Sequence, residues 1–277
     1  MTAIPETSAA GAVPAPGSAR GRRALGAGLL LAVGLLALAG PWLIDADPLR
    51  QDLRAALRGP GGGHPLGTDH LGRDMLARLA HAARLSLGLG AATVLTAAVP
   101  GVLLGLAAAW RGGAVDRALG ALCASVMALP GLLLVLVLAG FAPGAFWPLY
   151  VGLALASWVE YFRVVRAVAA SRLARPDVEA ARLLGFGPAH VVRRHLLPDL
   201  VGPLATLMAF GLAATVVAVS SLSFVGIGLR PPTPEWGNMM TELLPYHAEA
   251  PLQLLMPGTL LFATVLGLAL VCGREPS

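Results

Sequence analysis

Five stretches of this chain carry no charged residue: 24–44, 85–110, 118–159, 200–229 and 250–273. Each is at least as long as the roughly 20 apolar residues a helix needs to cross a bilayer. In lipid, a spanning backbone must satisfy its polar groups internally, as a helix does. The third stretch is long enough for two helices, and Phe141-Ala142-Pro143-Gly144 would break it where a turn falls. The sequence therefore predicts an all-α, polytopic transmembrane helix bundle of about six spans. The later half of the broken stretch runs from about Phe146 into Glu160, so its inner end is charged.

Composition places the chain in the same class. It is 56% hydrophobic and 13% charged, with mean hydropathy +0.74, against about 25% charged residues in soluble domains. Cys123 and Cys272 both fall inside apolar runs and read as small buried hydrophobes, which leaves no disulfide framework or zinc site. All 20 basic residues are arginine, so a phosphate-binding G-x-x-x-x-G-K-[ST] loop is excluded.

Arginine also sets the expected orientation, because cytoplasmic flanks carry the basic excess. Thirteen arginines fall on the side of residues 20–23, 111–117, 163–194 and 274, and seven on the other, six of them within 45–84. Both termini are thus expected in the cytoplasm. Arg22-Arg23 ahead of an apolar run ending Ala37-Leu38-Ala39 imitates a secretory signal, but the run exceeds the roughly 7 to 15 residues of a signal core and further spans follow. It reads as an uncleaved first helix. Residues 1–23 are expected as a disordered cytosolic tail, 24–84 as the first span plus an outer segment, 85–273 as the main transmembrane domain and 274–277 as a short tail.

Between the fourth and fifth predicted spans lies a polar island at 171–199. Asp177 to Leu184 and Pro188 to Leu196 read as two short helical pieces divided by Gly185-Phe186-Gly187, where glycine ends the first and proline starts the second. Asp177 and Glu179 suit the first helix's start and Arg193, Arg194 and His195 the second's end. Such a segment is longer than a connection requires and points to docking on a partner. Its competitor is a basic loop held by anionic lipid headgroups.

Within the island Glu179-Ala180-Ala181 is followed, after three intervening residues, by Gly185 and then by Leu197-Pro198, with His195 standing where the general pattern has isoleucine. This spacing resembles the cytoplasmic signature of inner-membrane permease subunits of binding-protein-dependent ABC importers. Two further blocks, Gly67-Thr68-Asp69-His70-Leu71-Gly72-Arg73-Asp74 and Leu222-Ser223-Phe224-Val225-Gly226-Ile227-Gly228 with Pro231-Pro232-Thr233-Pro234-Glu235-Trp236-Gly237, are similar to the dipeptide, oligopeptide and nickel branch. The resemblance covers roughly residues 25 to 270. It implies that 179–198 is a coupling helix in contact with an ATP-binding subunit through Glu179, Ala180, Ala181, Gly185, Leu197 and Pro198. Members of the branch carry a longer tail past the last span, with Gly-Asp and Arg-Asp pairs, that this sequence does not show.

On the outer side Leu71, Met75, Leu76, Leu79 and Ala83 recur at helical spacing, with Arg73, Asp74 and Arg78 on other faces. This predicts an amphipathic interfacial helix capped by Thr68 or Asp69 and edged by surface charges. The alternative gathers His64, Asp69, His70, Asp74 and His81 into a metal site. Glu160 is read either as an interfacial pair with Arg163 or as a translocation-path carboxylate. Ser157 and Ser220 are candidates for the same path, although hydroxyls in spans more often pack helices together. The loop 230–249, with Glu235, Trp236, Asn238, Glu242, Tyr246, His247 and Glu249, suits a protein contact.

The expected function is that of a permease subunit of an ATP-driven importer of small solutes, with di- or oligopeptides favoured and nickel or a metal chelate second. The resemblance implies two ATP-binding subunits, a second homologous permease subunit, and a periplasmic or lipid-anchored solute-binding protein. The surrounding partner is membrane lipid, in the bacterial inner membrane, and no nucleic acid is expected. ATP and Mg would reside on the partner subunits, so no cofactor or metal is expected on this chain and it is not itself an enzyme. The rival from another class is an ion-coupled secondary transporter, which calls for intramembrane carboxylates or histidines where only Glu160 is available. No H-E-x-x-H or nucleophile-base pair appears in any span.

Overall fold

The computed structural model describes residues 16–273, with side chains from Arg20 onward. Ten α-helices, some of them short, make up the described chain: α1 (Pro16–Leu43), α2 (Met75–Arg111), α3 (Gly113–Met127), α4 (Gly131–Phe141), α5 (Phe146–Leu173), α6 (Pro176–Leu183), α7 (Pro188–Val191), α8 (Leu197–Phe224), α9 (Trp236–Leu243) and α10 (Pro251–Cys272). A π-helical turn, Val192–Leu196, joins α7 to α8. Among the described residues no strand forms beyond two isolated bridges, so the all-α expectation holds.

Four helical stretches are long and apolar enough to cross a membrane: Arg20–Leu43, Met75–Arg111, Pro188–Phe224 and Pro251–Cys272. A fifth is the pair α3 and α4, bent by 71°. The remaining expected span, the fourth in chain order, corresponds to α5, which starts at Phe146 as expected. Its 28 residues reach about 42 Å, but Glu160, Arg163, Arg166 and Arg172 dilute its apolar character. The helix packs against α2, α4 and α8. The break at Phe141–Gly144 appears as expected, and a second, unexpected one falls at Ala128-Leu129-Pro130, where Pro130 begins a new helix and disfavours the helical conformation of Leu129.

Two further boundaries differ from expectation. Residues 16–23, assigned to the tail, are helical because Ala and Arg propagate a helix well once the apolar run beyond them has nucleated it; residues 1–15 and 274–277 lie outside the described part. No separate interfacial helix precedes α2, which is continuous for 37 residues, about 55 Å, and starts at Met75 with Asp74 as its cap. Its first turn therefore lies at one end of the bundle, with α9, and its last turn at the other, with α6. We call these the cap end and the docking end.

Close helix approaches are made by small residues. A Cβ on Gly101 would stand 2.5 Å from the Tyr161 Cβ, and one on Gly105 would stand 2.9 Å from the Phe162 carbonyl oxygen, so α2 and α5 meet almost backbone to backbone. A Cβ on Gly26 would stand 2.7 Å from the Leu270 Cβ, and one on Gly267 would stand 2.9 Å from Leu30, which seats α1 on α10 in the same way.

Candidate functional site

At the docking end, α6 stops in a Schellman turn. Gly185 takes φ +84°, its N–H donates to the Arg182 carbonyl, and the Phe186 N–H donates to the Ala181 carbonyl at 3.1 Å. Gly187 then precedes Pro188, the first residue of α7. Behind this turn the segment is braced by one guanidinium. Arg172, at the end of α5, donates through Nε to the His195 carbonyl at 3.2 Å and pairs with Asp199 on α8 at 2.7 Å, while its Nη2 lies 3.9 Å from Asp177. His195 in turn lies 3.4 Å from Asp177. Thus the residue that departs from the general isoleucine is part of the internal brace. Although burial pushes the Asp177 carboxyl up, Arg172, its own backbone N–H, Arg175 and His195 together outweigh it and hold the group below the usual carboxylate range.

Val178, Val191 and Leu196 anchor the segment inward, all fully buried. Glu179, Ala180, Gly185, Leu197 and Pro198 are exposed, and Ala181 is buried beneath them. The sequence reading missed the apolar tip: Leu183 and Leu184 are 83% and 77% exposed, with Phe186, stacked on His190, beside them. The signal was present in apolar residues at the edge of a polar island. Arg182 lies over the Trp110 ring at 4.4 Å, tying α6 to the last turn of α2.

In mid-bundle a cavity of about 680 Å³ opens between α4, α5 and α8. Ser157, Glu160 and Tyr161 line it from α5, and Gly211, Thr215 and Ser221 from α8. Glu160 is exposed and makes no ion pair among the described residues. Arg163, its expected partner, instead points Nη1 at the Met127 sulfur, 3.7 Å away. Ser220 is not brought to this cavity. It is buried and donates to Glu235 Oε1 at 2.7 Å, because α8 turns it toward the cap end.

The cap end overturns the expected surface charges. Arg73, Arg78 and Asp69 are each 1% exposed. With Glu242 they form a closed square: Arg73 Nε lies 2.6 Å and Arg78 Nη1 3.1 Å from Asp69 Oδ2, while Arg73 Nη2 lies 2.9 Å and Arg78 Nη2 2.5 Å from Glu242 Oε2. Asp69 caps no helix; its Oδ1 accepts from the Leu71 and Arg73 N–H groups, both at 2.9 Å. Thr68 donates to the Ala55 carbonyl and accepts from the Arg58 N–H, so it fastens the outer segment to itself. Gly67 and Gly72 have positive φ, and a Cβ on either would strike the Arg58 or Asp52 carbonyl, which accounts for both glycines of that block.

Asp74 caps α2 through the Ala77 N–H at 2.8 Å and meets His64 Nδ1 at 2.8 Å. Among the described residues no group of three or more His, Cys, Asp and Glu side chains is placed to hold a metal ion. His70 stacks on Tyr246, and burial lowers its pKa, opposed by Asp69 and Glu242 and reinforced by Arg73 and Arg78. Within the loop 230–249, Glu235, Trp236 and Asn238 are buried rather than offered outward: Glu235 accepts from the Ser220 hydroxyl and the Asn238 N–H, the Asn238 side-chain amide donates to the Leu229 carbonyl, and the Trp236 indole N–H has no hydrogen-bond partner among the described residues.

Residues 101–272 match the family described as binding-protein-dependent transport system inner membrane component. The chain is 34% identical over 243 residues to the nickel transport system permease protein NikC of Escherichia coli K12, covering 88% of each protein. It is 36% identical over 262 residues to the di/tripeptide transport system permease protein DppC of Pseudomonas aeruginosa, covering 91% of this chain and 86% of the relative. A putative peptide transport system permease protein of Brucella suis is 32% identical over 247 residues, covering 89% and 83%. With its apolar helices and the three motif blocks in order, the chain is a multi-pass membrane protein and belongs to the binding-protein-dependent transport system inner membrane components, in the peptide and nickel permease branch.

Proposed function

We propose that the chain is the permease subunit of an ATP-driven importer of short peptides. The observation that carries this reading is near-full-length similarity to di/tripeptide and nickel permeases, combined with a docking segment whose apolar tip is exposed while its base is braced. Glu179, Ala180, Gly185, Leu197 and Pro198 meet an ATP-binding subunit, with Ala181 packing beneath them. Two such subunits supply ATP and Mg, and the chain hydrolyses none itself. A second homologous permease completes the pathway, and a binding protein delivers cargo at the cap end. The docking segment and both termini lie in the cytoplasm of a bacterial cell, in keeping with the thirteen-to-seven arginine asymmetry.

Nickel, free or chelated, is the second reading, favoured by the similarity to the nickel permease. Against the free ion stands the cavity, which offers one carboxylate and hydroxyls but no histidine or cysteine. The test is uptake in a strain lacking the chain, comparing radiolabelled dipeptide with nickel in the presence and absence of a chelator. Peptide uptake restored by the chain is expected; restoration of metal accumulation alone reverses the order.

A further inference from the structure

The cavity between α4, α5 and α8 is apolar along most of its wall, and its one carboxylate, Glu160, makes no ion pair among the described residues. Glu160 is exposed there and also borders a second space, lined by Met127, Pro130 and Arg163, so it sits where two openings meet. Two other acids near span edges are paired: Asp116 with Arg166, and Asp199 with Arg172. A carboxylate left within a span is stable only where water or a cation reaches it. The next residue supplies a second, independent sign of an absent partner. Tyr161 is 1% exposed and lines the same cavity, and its hydroxyl has no hydrogen-bond partner. Its ring is held there by two glycines: Gly101 on α2 admits its Cβ, and Gly211 on α8 admits its hydroxyl, which would stand 2.7 Å from an added Cβ. Gly211 also lines the cavity, and Ser157 lies one helical turn before Glu160.

We propose that this cavity recognises a protonated primary amine on the cargo, with the Glu160 carboxylate as counter-ion and the Tyr161 and Ser157 hydroxyls as neutral hydrogen-bonding neighbours. The proposal rests on the transport reading above and adds the chemical group recognised. One carboxylate balances one positive charge. An ammonium offers three donors, which a carboxylate and two hydroxyls can accept together. A divalent transition metal would draw on imidazole, thiolate or several carboxylates, and the lining holds none beyond Glu160. The free amino terminus of a peptide, with a pKa of about 8, carries this charge at neutral pH. The volume also lies within the range of small-molecule sites, roughly 300 to 1,000 Å³.

The test uses cells that lack this chain but retain the rest of the transporter, complemented with the wild type, Glu160→Gln, Glu160→Asp or Tyr161→Phe. Uptake of alanyl-alanine is compared with that of isobutyryl-alanine, in which a methyl group replaces the ammonium at similar size, both at saturating concentration. The wild type is expected to favour the amine cargo by about tenfold, the value of one charge-assisted hydrogen bond. Glu160→Gln should bring that ratio close to one, Glu160→Asp should restore most of it, and Tyr161→Phe should lower it a few-fold. A Glu160→Gln variant that loses both cargoes in proportion, or keeps the wild-type ratio, overturns the proposal. Failure of the transport reading shows in the wild type itself, as nickel uptake with no uptake of either peptide cargo, and so is distinguishable from failure in the variants alone.

Discussion

The two ends of the bundle spend similar residues on opposite tasks. At the cap end Asp69, Arg73, Arg78 and Glu242 face one another out of water, and Glu235 is wholly buried. At the docking end Asp177, Arg175 and Asp199 also form ion pairs, but each remains largely exposed, and leucines lie open beside them. Two of the three motif blocks thus build the protein's own architecture, while the third presents a surface. A charged motif in a membrane protein need not mark a contact with something else. Burial distinguishes the two cases, since an isolated buried charge is too costly to keep without a partner in the same chain.

This contrast can be broken most forcefully at the square of charges. Arg78→Ala leaves two carboxylates sharing one guanidinium, and removing one member of a buried pair costs about 3–5 kcal/mol; a large fall in the thermal midpoint of the purified protein in detergent is expected. An unchanged midpoint would mean that the square is solvated and the two ends are alike. Next in size is Gly237→Ala, whose Cβ would strike the Ser220 carbonyl oxygen. Overpacking of this kind costs about 1–3 kcal/mol, again read as the thermal midpoint. At the docking end Gly185→Ala should cost only about 1–2 kcal/mol, from the left-handed conformation alone, because nothing stands within 4 Å of its Cβ position.

Acid should separate the ends by pH. Burial lowers the His70 pKa in the folded protein, so its contribution is complete above the unfolded value of about 6.5 and is lost as pH falls from there toward the folded value. Asp177 is held below its ordinary range, so its contribution is present above about pH 4 and lost only below it. Hydrogen exchange at pH 7 and pH 5.5 should therefore show loosening around residues 67–74 with 176–199 unaffected. Equal loosening of both segments would contradict the assignment. The smallest effect on stability belongs to Glu179→Arg, within about 0.5 kcal/mol because the side chain is exposed. Its transport should nevertheless fall at least tenfold, measured as uptake against membrane-inserted protein. Wild-type uptake would remove the docking role.

Much of the bundle was legible because a span announces itself in composition: α1, α2, α8 and α10 each overlap a charge-free run over most of its length. The Gly185 stop and the break at Phe141–Gly144 were equally local, and local chemistry sufficed for them. What escaped was the pairing of distant residues. Arg78 and Glu242 are 164 positions apart, and the helical spacing around Arg78 gave no sign that its apparently solvent-facing side had a lid. The same reason hid Ser220, whose partner Glu235 comes from a loop read as exposed. Arg172 counted only as one basic residue among thirteen, since its three acceptors lie on α6, the π-helical turn and α8. The Pro130 break was local and readable, but the continuous apolar run obscured it. The start of α5 at Phe146 was legible from the break before it, whereas its charged inner end, running on to Leu173, left no compositional mark of where it stops.

The glycine contacts between α1 and α10 bear on how the protein is made. The first helix leaves the ribosome early, whereas the face that receives Gly26 and Leu30 belongs to the last helix and exists only once residue 267 has been synthesised. Until then α1 has its contact with α2, where Gly40 lies against Ala80, and the face that later meets α10 must rest in lipid. Clasping of α1 against α10 therefore waits on the synthesis of α10, and a ribosome stalled within α10 would hold an inserted chain whose earliest segment is still half unclasped.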